Sequence, residues 1–95
     1  MRYRTHPDVV ARSIAGESIL VPLNEPARRI FTLSTTGRAL WDRLEQDWAT
    51  PEELEALLVE RFKGPPGQVK TDVAAFLASM SDFRLVIAEP KDSQP

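Results

Sequence analysis

The hydrophobic period of this chain changes once, at Ser34, and that change constrains the fold more than any other feature of the sequence. Before it, apolar residues recur with the period of two that belongs to strands. After it, they recur at the three- and four-residue spacing of amphipathic helices. Val9 to Ile14 is rich in β-branched residues, and Ala15-Gly16-Glu17 reads as a turn. Ser18 to Leu23 places Ile19, Val21 and Leu23 on one face, and Pro22 falls near the strand end, where its missing amide is tolerated. A second turn, Asn24-Glu25-Pro26-Ala27, leads to a third strand over Arg28 to Leu33. Parallel strands need a crossover of about a dozen residues, so two tight connections in succession predict an antiparallel meander.

Helices follow. Ser34-Thr35-Thr36-Gly37 supplies capping hydroxyls, and Ala39, Leu40, Trp41 and Leu44 form an apolar stripe reaching Gln46. Thr50-Pro51-Glu52-Glu53 combines an N-cap threonine, a proline at the first helical position and a glutamate placed to close a capping box. Leu54, Leu57, Leu58 and Phe62 make the buried face of that helix, which stops before Gly64-Pro65-Pro66-Gly67. A third helix spans about Gln68 to Ser81 through Val69, Val73, Phe76, Leu77 and Met80. Phe83 to Ala88 reads as a short extended piece or wing. The expected class is α+β: a three-stranded antiparallel β-meander followed by three α-helices. One domain over residues 9–88 lies between a flexible N-terminus, 1–8, and a disordered tail, 89–95.

Ninety-five residues fold around one core and seldom build a second layer for a preorganised cleft, which weighs against an enzyme. No cysteine is present, and His6 is the only histidine, so thiolate chemistry, disulfides and a cysteine zinc site are excluded. We expect no catalytic residue, no metal and no cofactor. Glu52, Glu53 and Glu55 read as cap and solvated face rather than as an acid–base pair, and the two prolines of Gly64–Gly67 remove amides that a phosphate loop needs. The longest apolar run falls far short of the roughly 20 residues of a membrane span, and the polar N-terminus has no signal-peptide core. A cytoplasmic protein with no membrane partner is expected.

The net charge of −2 is unevenly placed. Residues 1–43 hold seven arginines against four acids, whereas residues 44–95 hold five basic against ten acidic groups. The acidic helical half repels phosphate, so a small winged-helix DNA-binding regulator is the alternative and nucleic acid is not the expected partner. Arg28-Arg29 beside Ile30 and Phe31 reads as a strand edge guarded by charge, or as one kept open for a peptide.

The run Arg29-Ile-Phe-Thr-Leu-Ser-Thr-Thr-Gly37, then Ala39-Leu40-Trp41, Thr50-Pro-Glu-Glu-Leu54, and Asp72-Val73 with Phe76-Leu77, resembles the PqqD family, the coenzyme PQQ synthesis protein D group of RiPP precursor peptide recognition elements. The resemblance covers about Val9 to Ile87. Ser34 stands where the family usually has Asn, and Phe83-Arg84-Leu85-Val86 replaces a Gly-Leu-Val close, so a left-handed glycine is missing after the third helix. The resemblance implies a winged-helix-like, non-catalytic domain that binds the leader of a ribosomally made precursor peptide by strand addition and presents it to a modifying enzyme, often a radical SAM enzyme. A structural subunit that completes a larger enzyme is the other alternative. Carried onto this chain, the peptide-binding residues are Arg28, Arg29, Ile30, Phe31, Thr32 and Leu33 of the third strand. The third helix adds Val69, Lys70, Val73 and Leu77. Strand addition of about six to eight residues with two apolar anchors is expected to reach about micromolar affinity. An open edge also permits a weak homodimer beside the monomer.

Overall fold

The computed structural model describes residues 1–23 and 29–89. Eight elements follow in chain order: β1 (Arg2–Thr5), β2 (Val9–Ile14), β3 (Glu17–Pro22), β4 (Phe31–Leu33), α1 (Thr35–Gln46), α2 (Pro51–Phe62), α3 (Pro66–Asp82) and β5 (Val86–Glu89). The expected α+β class is what forms. β2, β3 and β4 pair antiparallel in that order, and the three helices cover one face of the meander.

The β2–β3 hairpin closes through Ala15 and Gly16, both at positive φ (53° and 82°), the two-residue geometry that matches strand twist. The sequence puts Ile19, Val21 and Leu23 on one face of β3 without saying which face is inward, and the structure buries the other. Leu20 and Pro22 are buried, whereas Ile19 and Val21 are half-buried and Leu23 is exposed. Both rows of this strand are apolar, so its period of two does not reveal which faces the helices. The core chooses: Leu20 belongs to one cluster with Trp41, Leu44, Leu54, Val73 and Leu85, and all six are essentially inaccessible to solvent.

Capping fixes where the helices begin. The Ser34 hydroxyl accepts the Gly37 amide at 3.1 Å, so serine fills the N-cap of α1. Thr50 and Glu53 close a full capping box at α2, at 3.2 and 2.8 Å. α3 starts two residues before the expected Gln68, because Pro66 is pre-shaped for a first helical turn. Phe62 is 37% exposed rather than buried, since α2 is already ending beside it.

The third expected strand is shorter than the sequence suggested. β4 holds only Phe31–Leu33; Arg29 and Ile30 precede it as exposed irregular chain, while Arg28 and the turn residues 24–27 lie outside the described residues. The N-terminus differs more. Residues 2–5, expected to be flexible, form β1 and pair with β5, Arg2 opposite Glu89 through Thr5 opposite Val86. A two-stranded ribbon is marginal alone. Here Tyr3 exchanges two backbone hydrogen bonds with Ala49 (2.8 and 2.9 Å), the His6 amide donates to the Leu85 carbonyl (3.0 Å), and the Arg2 guanidinium binds the Glu89 carboxylate. The extended piece read over Phe83 to Ala88 thus becomes β5, which includes Glu89; residues 90–95 lie outside the described residues.

Between α3 and β5 the chain reverses without a glycine. The Leu85 amide donates to the Met80 carbonyl (2.8 Å) and the Arg84 amide to the Ser81 carbonyl (3.0 Å), with Arg84 at φ 59°. This is a Schellman ending with arginine in the left-handed position, and Leu85 is driven into the core behind it. A side chain there costs about 1 kcal/mol relative to glycine. Arg84→Gly is therefore expected to stabilise the protein by about 1 kcal/mol and raise Tm by roughly 4–8 °C, read by thermal circular dichroism. An unchanged or lowered Tm would show that Arg84 gains as much from its surroundings as its backbone loses.

Candidate functional site

β3 lies between β2 and β4, so one edge of β4 faces no other strand among the described residues. Beside that edge runs a groove of about 380 Å³. One wall is Thr32 and Leu33 of β4 with Ser34, Thr36 and Gly37 from the start of α1; the other is Asp72, Ala75, Phe76, Ser79 and Met80 of α3. Leu40 and Leu58 close the floor. Phe31 and Phe83 meet at the β4 entrance, ring centroids 4.9 Å apart and tilted by 50°, with the Arg29 guanidinium 5.0 Å above the Phe83 ring.

The row of α3 that reaches the groove is not the one assigned from sequence. Val69, Val73 and Leu77 are 4%, 0% and 4% exposed, and they fill the core with Met80. Lys70 points the other way, into a separate cleft of about 500 Å³ with Tyr3, Pro51, Glu52, Ala74 and Asp82. At 3.6 residues per turn, Asp72, Phe76 and Ser79 make a second row, turned about 90° from the core row. Of the residues singled out, the structure brings Thr32 and Leu33 to the groove itself, with Arg29 and Phe31 at its entrance. Ile30 is 62% exposed before β4, and Arg28 is not described. Asp72, Ala75, Ser79 and Gly37 were missed as lining residues. Phe76 was read as core and is instead half-buried at the groove wall. Its spacing alone carries that signal: a bulky apolar residue one position off the buried row belongs to a flank.

Gly37 lies where the start of α1 faces Phe76 of α3. A Cβ there would sit 3.2 Å from the Ser34 hydroxyl, 3.5 Å from Leu33 Cδ2 and 3.7 Å from the Phe76 ring. No group of three or more His, Asp or Glu side chains that could hold a metal ion occurs among the described residues, and no described helix is long and apolar enough to cross a membrane.

The family model for coenzyme PQQ synthesis protein D (PqqD) matches residues 19–86, most of the chain. The chain belongs to the PqqD family. Three solved structures share its fold. One titled TbiB1 in complex with the TbiA(beta) leader peptide has a TM-score of 0.76 at 23% identity, covering 93% of this chain and 99% of that one. A lasso peptide synthetase B1 complexed with the leader peptide has a TM-score of 0.75 at 15% identity, covering 90% and 98%. The PqqD truncation of Methylobacterium extorquens PqqCD, described as a stand-alone RiPP recognition element, has a TM-score of 0.71 at 19% identity, covering 92% and 89%. No curated protein matches this chain.

In this PqqD-family member the shared wall yields a direct expectation. Gly37→Val crowds the Ser34 cap and the Phe76 ring and is expected to cost about 1–3 kcal/mol in urea unfolding. Adding Phe76→Ala should recover part of that loss, because the two sites couple through one contact. Strict additivity of the two substitutions would mean that α1 and α3 do not meet through Gly37.

Proposed function

We propose that this protein binds an extended peptide along the β4 edge and in the groove against α3, and that the peptide is the leader of a ribosomally synthesised precursor handed on to a separate modifying enzyme. The observation that carries the reading is the juxtaposition of a strand edge that no described strand pairs with and an apolar-floored groove. The edge offers backbone amides and carbonyls spaced for a new strand, and the groove receives alternate side chains of whatever strand is added. Membership in the PqqD family and the leader-bound neighbours of the same fold support it.

The chain itself performs no chemistry on the peptide in this reading. Its part is to order the leader and hold it in one register, which lowers the entropy lost when the enzyme engages the remainder of the precursor. The modifying enzyme, a radical SAM enzyme or one of another class, supplies the reaction. The peptide contacts come from Thr32, Leu33, Phe76, Ala75 and Ser79, with Arg29 and Phe31 at the entrance. Val69, Val73 and Leu77 hold α3 in place from behind, and Lys70 faces away. Recognition of DNA is disfavoured because both exposed flanks of α3 carry carboxylates, Asp72 on one and Asp82 on the other.

The test is a titration of ¹⁵N-labelled protein with synthetic leader segments from precursor reading frames adjacent to its gene. Amide shifts are expected over Phe31–Leu33 and along Asp72–Met80, with little change in α2. Ala75 is exposed, so Ala75→Trp is expected to fold with a stability change within about 0.5 kcal/mol and to weaken binding at least tenfold. Shifts elsewhere, or a variant that binds as tightly as the parent, would sink the reading.

A further inference from the structure

Asp72 is the one charged side chain among the residues that line the groove, and it stands at the end farthest from the Phe31–Phe83 contact. The Gln68 amide donates to its Oδ1 at 2.8 Å, and the carboxylate is exposed to solvent. From this placement we infer that the groove selects a peptide with a basic residue two positions before an apolar anchor. The inference rests on the proposed function and specifies the class of peptide that site accepts.

The spacing comes from two rises. Asp72 and Phe76 are four residues apart on α3, so they lie about 6 Å apart along its axis. Two residues of an extended strand cover about 6.6 Å and return the side chain to the same face. An apolar side chain seated on Phe76, above Leu40 and Leu58, therefore places the side chain two positions away opposite Asp72. The order follows from the topology. β4 runs from the Phe83 end of α3 toward Gly37, which lies against Phe76, with Asp72 one turn farther on. A segment antiparallel to β4 continues the alternation of the meander. It enters at Asp72 and leaves past Phe83, so the base precedes the anchor. Lysine or arginine at that position pairs with the carboxylate at low desolvation cost, since Asp72 remains exposed. An acidic residue there meets like charge.

The experiment is a selection from a random peptide-display library against the purified protein, Asp72→Asn and Asp72→Lys, each first checked for a native melt. The parent is expected to enrich Lys or Arg two positions before an apolar residue. Asp72→Asn should lose that preference, and Asp72→Lys should replace it with Asp or Glu. A synthetic peptide of the selected sequence should bind the parent about threefold to fivefold more tightly than its Lys→Glu counterpart at low salt, with the gap closing at high salt. Peptides that share an apolar anchor but show no charge preference would overturn the inference and leave strand addition standing. Failure of the parent to enrich any peptide would overturn both.

Discussion

Burial of Val69, Val73, Leu77 and Met80 fixes the rotation of α3, and the groove beside β4 depends on that rotation. Each aliphatic side chain taken from water into this core is worth about 2 kcal/mol. A surface ion pair such as Arg4 with Asp47 contributes well under 1 kcal/mol. No polar preference on the flanks competes with the core row, so Asp72, Phe76 and Ser79 face the β4 edge as a consequence of what their neighbours bury. The groove is shaped from behind.

A helix held that way must also be ended and tied down. The Schellman turn at Arg84 and Leu85 reverses the chain within two residues, and the side chain that follows is fully buried. β5 then returns along β1, whose Tyr3 is hydrogen-bonded to Ala49 in the link between α1 and α2. The two ends of the described chain thus close one circuit with all three helices inside it. The β1–β5 ribbon is a sheet separate from the meander, and no strand among the described residues pairs with the free edge of β4.

A strand edge with no neighbour among the described residues is a hazard as well as the proposed site, and the sequence limits the hazard. β4 is only three residues long, and the exposed Arg29 precedes it. Shortness and charge discourage pairing between like edges, while a heteromeric strand with its own anchors gains the groove as well. The same residues therefore read as protection or as recognition according to what approaches. Gly37 adds a close approach within α1 itself: a Cβ there would crowd the Ser34 cap at 3.2 Å, while it would meet the Phe76 ring at an ordinary 3.7 Å.

The division between sequence and tertiary structure follows the range of the interactions. Local chemistry determined the Ala15-Gly16 turn, the Ser34 and Thr50 caps and the three helices, because each rests on residues within about four positions of one another, and the alternation of β2 and β3 with a tight turn between them was enough to bring those strands together as a hairpin. The family pattern was equally legible, since it is an order of such local signals. What only the tertiary structure decided involves partners far along the chain. β1 pairs with β5 across more than eighty residues, and nothing in Arg2–Thr5 announces a strand until Ala49, Leu85 and Val86 are in place. The inward face of β3 was undecided because both of its rows are apolar. The groove row of α3 was misassigned to Val69, Lys70, Val73 and Leu77 for a related reason: periodicity shows that one face is buried, but not which flank of it turns toward a strand edge. That choice belongs to the packing of α3 on α1 and α2, which no local pattern encodes.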